Sequence, residues 1–179
     1  MAQKPTLVFD LETKSLAEDV GGWNFIDRLG MAAAVVYEVE SDRYHRFVEN
    51  QVELLLSLMR TADRVIGYNV KRFDYRVLKP YGGGDLAGLP TIDLLEHLYQ
   101  ALGFRLSLEA VASATLGSQK LADGIQAVAW YREGQIDRVL DYCQQDVALT
   151  WHLYQHGRAH HEVSFRDRGF RLRSVPVTW

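Results

Sequence analysis

The chain has 179 residues, 47% of them hydrophobic, with 20 basic and 23 acidic side chains for a net charge of −3. That length and apolar share can bury one sizeable core, and the near-balanced charge excludes a protein that coats nucleic acid through a globally basic surface. The single cysteine, Cys143, excludes an internal disulfide and a thiolate zinc cluster, and no apolar run approaches the ~18 residues that cross a membrane.

From the N-terminus, MAQKPT carries neither a basic leader region nor an apolar segment, so a cytoplasmic protein with no membrane association is expected. Thr6 to Phe9 is a run of strand formers bounded by Pro5 and ended by charge, which predicts a central strand. Side chains alternate along a strand, so Asp10 and Glu12 project to one side and Leu11 to the other. Two carboxylates that close repel unless a cation sits between them, and Mg²⁺ or Mn²⁺ suits such oxygen ligands. A strand running into an acidic turn would give the same tripeptide. A polar, glycine-containing loop, Lys14 to Gly22, follows. MAAAVVYEV and RYHRFV then read as two adjacent strands turning at Glu40-Ser41-Asp42, an antiparallel meander.

A helix over about Gln51 to Arg60 leads to a strand at Val65-Ile66-Gly67-Tyr68. Asn69 and the pair Phe73-Asp74 then introduce a helical stretch ending near Pro80, with Asp74 in its first turn. The helix dipole alone favours an acid there, and Asn69 also fits a simple cap or turn. Helix and strand alternate once more, and the chain after the glycine-rich loop Tyr81 to Gly88 reads as helical, with Asp93 as a cap or a supporting acid. The last long helix spans Ile136 to His156. It places Tyr142 and Asp146 four residues apart on one face, among Val139, Leu140, Val147, Leu149 and Leu153. A charge among apolar positions needs a buried partner such as a metal.

The tail from Arg166, RDRGFRLRSVPVTW, carries four arginines and reads either as an arm or as an added edge strand, giving a domain over 1–165 and a basic tail over 166–179. An arm of that kind is a possible surface for a protein partner. His160 and His161 are read as surface residues and Cys143 as packing. Lys71, Arg72, Arg76, Lys79 and Lys120 are the candidate phosphate contacts. Phosphate loops of the Gly-x-x-x-x-Gly-Lys kind, dinucleotide fingerprints and nucleophile elbows are all absent.

Together, LVFDLET, GYNVKRFD and DYCQQD resemble, in order, the three motifs of the DEDD superfamily of 3′-5′ exonucleases, tyrosine subtype. The sister subtype has a histidine five residues before the final aspartate, where this chain has Asp141. SLEAVASATLG, DGIQAVAW and VLDYCQQDVALTWHLY are also similar to the proofreading-type exonuclease domains related to family B DNA polymerases. The resemblance implies a ribonuclease H-like α/β fold with a mixed, largely five-stranded sheet flanked by helices. It also implies two divalent ions, Mg²⁺ or Mn²⁺, held by Asp10, Glu12, Asp74 and Asp146.

Hydrolysis of a phosphodiester needs an activated water, a neutralised phosphate and a stabilised leaving alkoxide, which two metals supply. The expected roles are a bridge at Asp10, the nucleophile side at Glu12 and Asp146, and the leaving side at Asp74. Tyr142, as a phenol with an ordinary pKa of about 10, would orient the attacking water rather than act as a strong base. Leu11, Thr13, Asn69 and Phe73 are placed to touch the terminal nucleotides, although Phe73 fits core packing equally well. The expected partner is a single-stranded 3′ end, DNA before RNA, with nucleoside 5′-monophosphates released. An exoribonuclease with the same site, or a catalytically silent binding module, is the alternative.

Overall fold

A computed structural model describes residues 4–118 and 124–179. Its centre is β1 (Thr6–Thr13), in which Leu7, Val8, Phe9 and Leu11 are all buried. A strand with both faces covered reads as a continuous apolar run rather than an alternating one. β1 pairs antiparallel with β2 (Met31–Glu38), which pairs antiparallel with β3 (Arg43–Val48). On its other side β1 runs parallel to β4 (Arg64–Gly67), and β4 runs parallel to β5 (Thr91–Asp93). The resulting five-stranded mixed sheet has the order β3-β2-β1-β4-β5.

Alternation along β1 divides the core into two layers. Leu7, Phe9 and Leu11 face a cluster completed by Leu55, Leu56 and Met59 of α1 (Val52–Met59) and by Val77 and Leu78 of α2 (Asp74–Leu78). Val8 faces the other cluster, built with α3 (Leu94–Leu102), α4 (Leu108–Leu116), α5 (Gly124–Arg132) and α6 (Ile136–His160). Among the described residues, no helix is long and apolar enough to cross a membrane.

β5 lies beyond the glycine-rich loop, where the sequence reading places only helix. With three residues and a single apolar side chain, Ile92, it shows no period of its own, and pairing with β4 creates it. The loop after β1 is ordered as two 3₁₀ segments, Ala17–Val20 and Trp23–Arg28, joined through Gly21 and Gly22 at φ +96° and +111°.

The segment after Arg166 forms β7 (Leu172–Pro176), paired antiparallel with β6 (Glu162–Arg166) rather than with an edge of the central sheet. The position 165/166 therefore falls inside β6. Val175, Val177 and Trp179 are buried, and the Trp179 indole N–H donates to the Tyr154 carbonyl at 3.2 Å. Gly157 makes this docking possible, because a Cβ there would lie 2.4 Å from Trp179 Nε1.

Candidate active site

Asp10 and Glu12 share the Val8 side of β1, which is the side covered by α6. α6 presents Tyr142, Cys143 and Asp146 to that side. One carboxylate oxygen from each of Asp10, Glu12 and Asp146 lies within 4.8 Å of the other two. The Tyr142 hydroxyl donates to Asp146, and the Cys143 thiol lies 3.3 Å from the Asp10 carbonyl oxygen and 3.5 Å from its Oδ2.

Asp74 stands outside this group of three. It opens α2, is 2% exposed, and accepts the Leu11 backbone N–H on Oδ1 at 3.1 Å. Its charge still reaches the group and helps raise the pKa values of both Asp10 and Glu12.

The electrostatics are those of negative charge gathered without compensation. Burial first, and the neighbouring carboxylates second, push Asp10 and Glu12 well above the ordinary carboxylate range. Burial pushes Asp74 up to about 8 against the pull of its backbone N–H donors, and Asp146 up to about 6 against the Tyr142 hydrogen bond. Burial and the adjoining carboxylates also raise the Tyr142 phenol, so it stays protonated at neutral pH and keeps donating. Among the described residues, no lysine or arginine is ion-paired with any of the four acids. Hard oxygen donors converging in a largely buried, uncompensated group fit a divalent cation, which Asp10, Glu12 and Asp146 could hold with Asp74 beside them.

A cleft of about 530 Å³ opens on Asp10, Glu12 and Asp74, between the loop after β1 and the start of α5. The 2.5 Å ion pair of Arg132 with Asp19 ties α5 to that loop across the cleft. All four expected substrate residues, Leu11, Thr13, Asn69 and Phe73, line it. Leu11 is 3% exposed, so it serves the site chiefly through its backbone N–H to Asp74. The Thr13 hydroxyl is engaged by the Ser15 carbonyl at 2.9 Å. Phe73 packs against the α1/α2 cluster and also lines the cleft, with its ring centroid 6.4 Å from that of Trp23.

Asn69 holds a left-handed φ of +68°, a region asparagine tolerates better than most residues. Asp93 fixes it there. The Asp93 carboxylate caps α3 by accepting the Leu95 and Glu96 N–H groups, and it also accepts those of Asn69 at 2.8 Å and Lys71 at 3.1 Å. The expected helix cap is thus also the clamp for the turn that delivers Asp74. Of the candidate phosphate contacts, Lys71 is paired with Glu96 at 2.5 Å, and Lys120 lies outside the described residues. Tyr68 of the second motif and Ile125 also line the cleft, and Trp23 and Arg105, which no quoted motif includes, border it or the space beside it. Trp23 is 69% exposed, and an aromatic directly after Gly21-Gly22 was its only signal.

With this geometry in place, comparison with known proteins is decisive for the family. Residues 7–157 match the model of a family described as RNase_H superfamily. This chain belongs to the ribonuclease H superfamily. Among curated proteins, no relative matches it by sequence. Among solved structures, the ribonuclease H fold seen here is similar to part of the family B DNA polymerase from the hyperthermophilic archaeon Pyrobaculum calidifontis. The TM-score is 0.64 at 17% identity, over 88% of this chain and 25% of the polymerase, so the likeness is one of fold. The chain spans about a quarter of that polymerase's length.

Proposed function

We propose that this ribonuclease H-like chain is a 3′-5′ exonuclease of the DEDD superfamily, tyrosine subtype, acting on single-stranded DNA. The observation that carries the reading is the meeting of Asp10, Glu12 and Asp146 within 4.8 Å, with the Tyr142 hydroxyl on Asp146 and Asp74 alongside. When bound, divalent metal ions would activate the attacking water and neutralise both the phosphate and the leaving oxygen. Asp10, Glu12 and Asp146 would hold those ions, and Asp74 would support the leaving side. Tyr142, protonated at neutral pH, orients the water by hydrogen bonding and does not remove its proton.

The position of Asp141 supports the tyrosine subtype. The residue five before Asp146 is Asp141, exposed and paired with Arg46 on β3, in place of the histidine of the sister subtype. DNA as the polymer is supported by the likeness to a DNA polymerase. The test is a time course on a 5′-labelled single strand beside the same strand blocked by a 3′-phosphate. Stepwise shortening of the free strand with release of nucleoside 5′-monophosphates, and stalling of the blocked one, is the expected result. Internal cleavage of both strands alike would refute exonuclease action.

A further inference from the structure

Three arginines that have no carboxylate partner among the described residues share a pocket beside the acidic cleft. Arg72, Arg76 and Arg105 line a second cavity of about 420 Å³, together with Trp23, Asn69 and Phe73, and those last three residues line the acidic cleft as well. Among the described residues four of the twelve other arginines pair with carboxylates, Arg46 with Asp141, Arg60 with Asp85, Arg132 with Asp19 and Arg173 with Asp167, so what sets Arg72, Arg76 and Arg105 apart is their convergence on one cavity. Among the described residues no acid pairs with the pocket arginines, and no arginine figures among the groups that shift the four site carboxylates.

Two of the three are instead aimed by neutral groups. Arg105 donates to Asn69 Oδ1 at 2.6 Å, and Arg76 donates to the Asn24 carbonyl at 3.2 Å. Neutral acceptors position the guanidinium groups and leave their charge uncompensated. Between the two cavities stand the exposed Trp23 and the half-buried Phe73. Aromatic faces next to unpaired guanidinium groups suit a ligand that alternates stackable bases with phosphates, and stacking on Trp23 requires those bases to be unpaired.

We infer that this second pocket is the upstream subsite for a single-stranded polynucleotide: Trp23 and Phe73 stack a base next to the 3′-terminal residue, and Arg72, Arg76 and Arg105 hold the phosphates on its 5′ side. The inference rests on the exonuclease reading for the placement of the 3′ end over the carboxylates. Binding here sets how much chain beyond the terminal residue the protein grips.

The test is fluorescence anisotropy in Mg²⁺ with a 5′-labelled octathymidylate whose 3′ linkages are phosphorothioates, and with a labelled dinucleotide. The wild type is compared with the triple variant Arg72→Ala/Arg76→Ala/Arg105→Ala, with its Lys counterpart, and with Trp23→Ala. Each lost contact to a single strand lowers the slope of log affinity against log salt by about 0.7, so the triple alanine variant should lose about two units of slope. It should also lose at least tenfold in octamer affinity, and Trp23→Ala about tenfold. The lysine variant, which keeps the charge, should retain the slope, and the dinucleotide, which ends at the stacked base and offers the arginines no internucleotide phosphate on its 5′ side, should change less than twofold between the wild type and the triple alanine variant. If the alanine variant binds the octamer with wild-type affinity and slope while the wild type still shortens unmodified strands, the subsite is refuted and the exonuclease stands. A lost slope with no hydrolysis by the wild type supports the subsite and refutes the catalytic reading.

Discussion

Asp74 accepts the backbone N–H of Leu11 at 3.1 Å, which fastens the second acidic motif to the strand that carries the first. One of its oxygens is therefore spent on the fold, and its burial raises its pKa to about 8. Asp74→Asn keeps an acceptor for Leu11 while removing a buried charge. We expect this variant to be at least as thermally stable as the wild type at pH 8 without metal, yet to hydrolyse DNA at least tenfold more slowly. Thermal melting and single-turnover rates on one preparation check both halves, and a large loss of stability would show that the site tolerates no neutral group there.

The four raised carboxyl groups also fix the sign of the pH dependence. Unfolded, they titrate near ~4. Folded, Asp146 titrates at about 6 and Asp74 at about 8, with Asp10 and Glu12 also raised. Between those limits the folded state holds more protons, so the stability these groups contribute is complete below pH ~4 and is lost as pH rises toward about 8. Metal-free protein should therefore melt at a higher temperature at pH 5 than at pH 8. Mn²⁺ should raise the melting point more at pH 8, because the cation binds the deprotonated groups. Melting in EDTA and in Mn²⁺ across this range is the check, and a metal-free protein that gains stability from pH 5 to pH 8 would contradict it.

Tyr142 donates to Asp146 and stays protonated, which fits the orienting role proposed for it. Tyr142→Phe should slow turnover by about tenfold or more while leaving Mn²⁺ affinity within about twofold. Calorimetric titration beside steady-state rates separates the two, and loss of metal binding would move Tyr142 from orienting water to holding the metal site together.

The carboxylates were legible in the sequence because two-residue and four-residue spacings convert directly into strand and helix faces: Asp10 with Glu12, and Tyr142 with Asp146. The sheet was legible where apolar runs were long, as in β1 and β2. β5 was not, since Thr91–Asp93 is too short to show a period and exists by pairing with β4. Nor does spacing reveal that Asp74 stands apart from the other three, because that depends on the Leu11 N–H, 63 residues away in the chain. Arg105 meets Asn69 across 36 residues, and only the folded chain brings them together. In the tail, Leu172 and Ser174 fall in β7 while Phe170 lies in the turn before it at φ +60°, and nothing local to the segment names β6 as the partner.

The tail offers a clean packing test. Gly157→Ala should gain up to ~1 kcal/mol of helix propensity. Its Cβ would stand 2.4 to 2.7 Å from the Trp179 indole, and displacing a buried tryptophan costs ~3 kcal/mol or more, so the variant should be less stable. In a Trp179→Ala background the clash is gone, and the same substitution should become neutral or stabilising. Chemical denaturation of the four proteins in this cycle reads the sign change.

On the proposed reading, the Asp10 group binds divalent metal in order to hydrolyse a strand from its 3′ end. The most direct measurement follows matched 5′-labelled single-stranded DNA and RNA with metal-free protein on addition of Mg²⁺ or Mn²⁺, using the wild type and Asp10→Ala. The expected result is no cleavage before metal, a ladder shortening from the 3′ end after it, faster on DNA, and none with Asp10→Ala. Cleavage that persists in the variant or without metal, or tight binding with no ladder on either polymer, would contradict it.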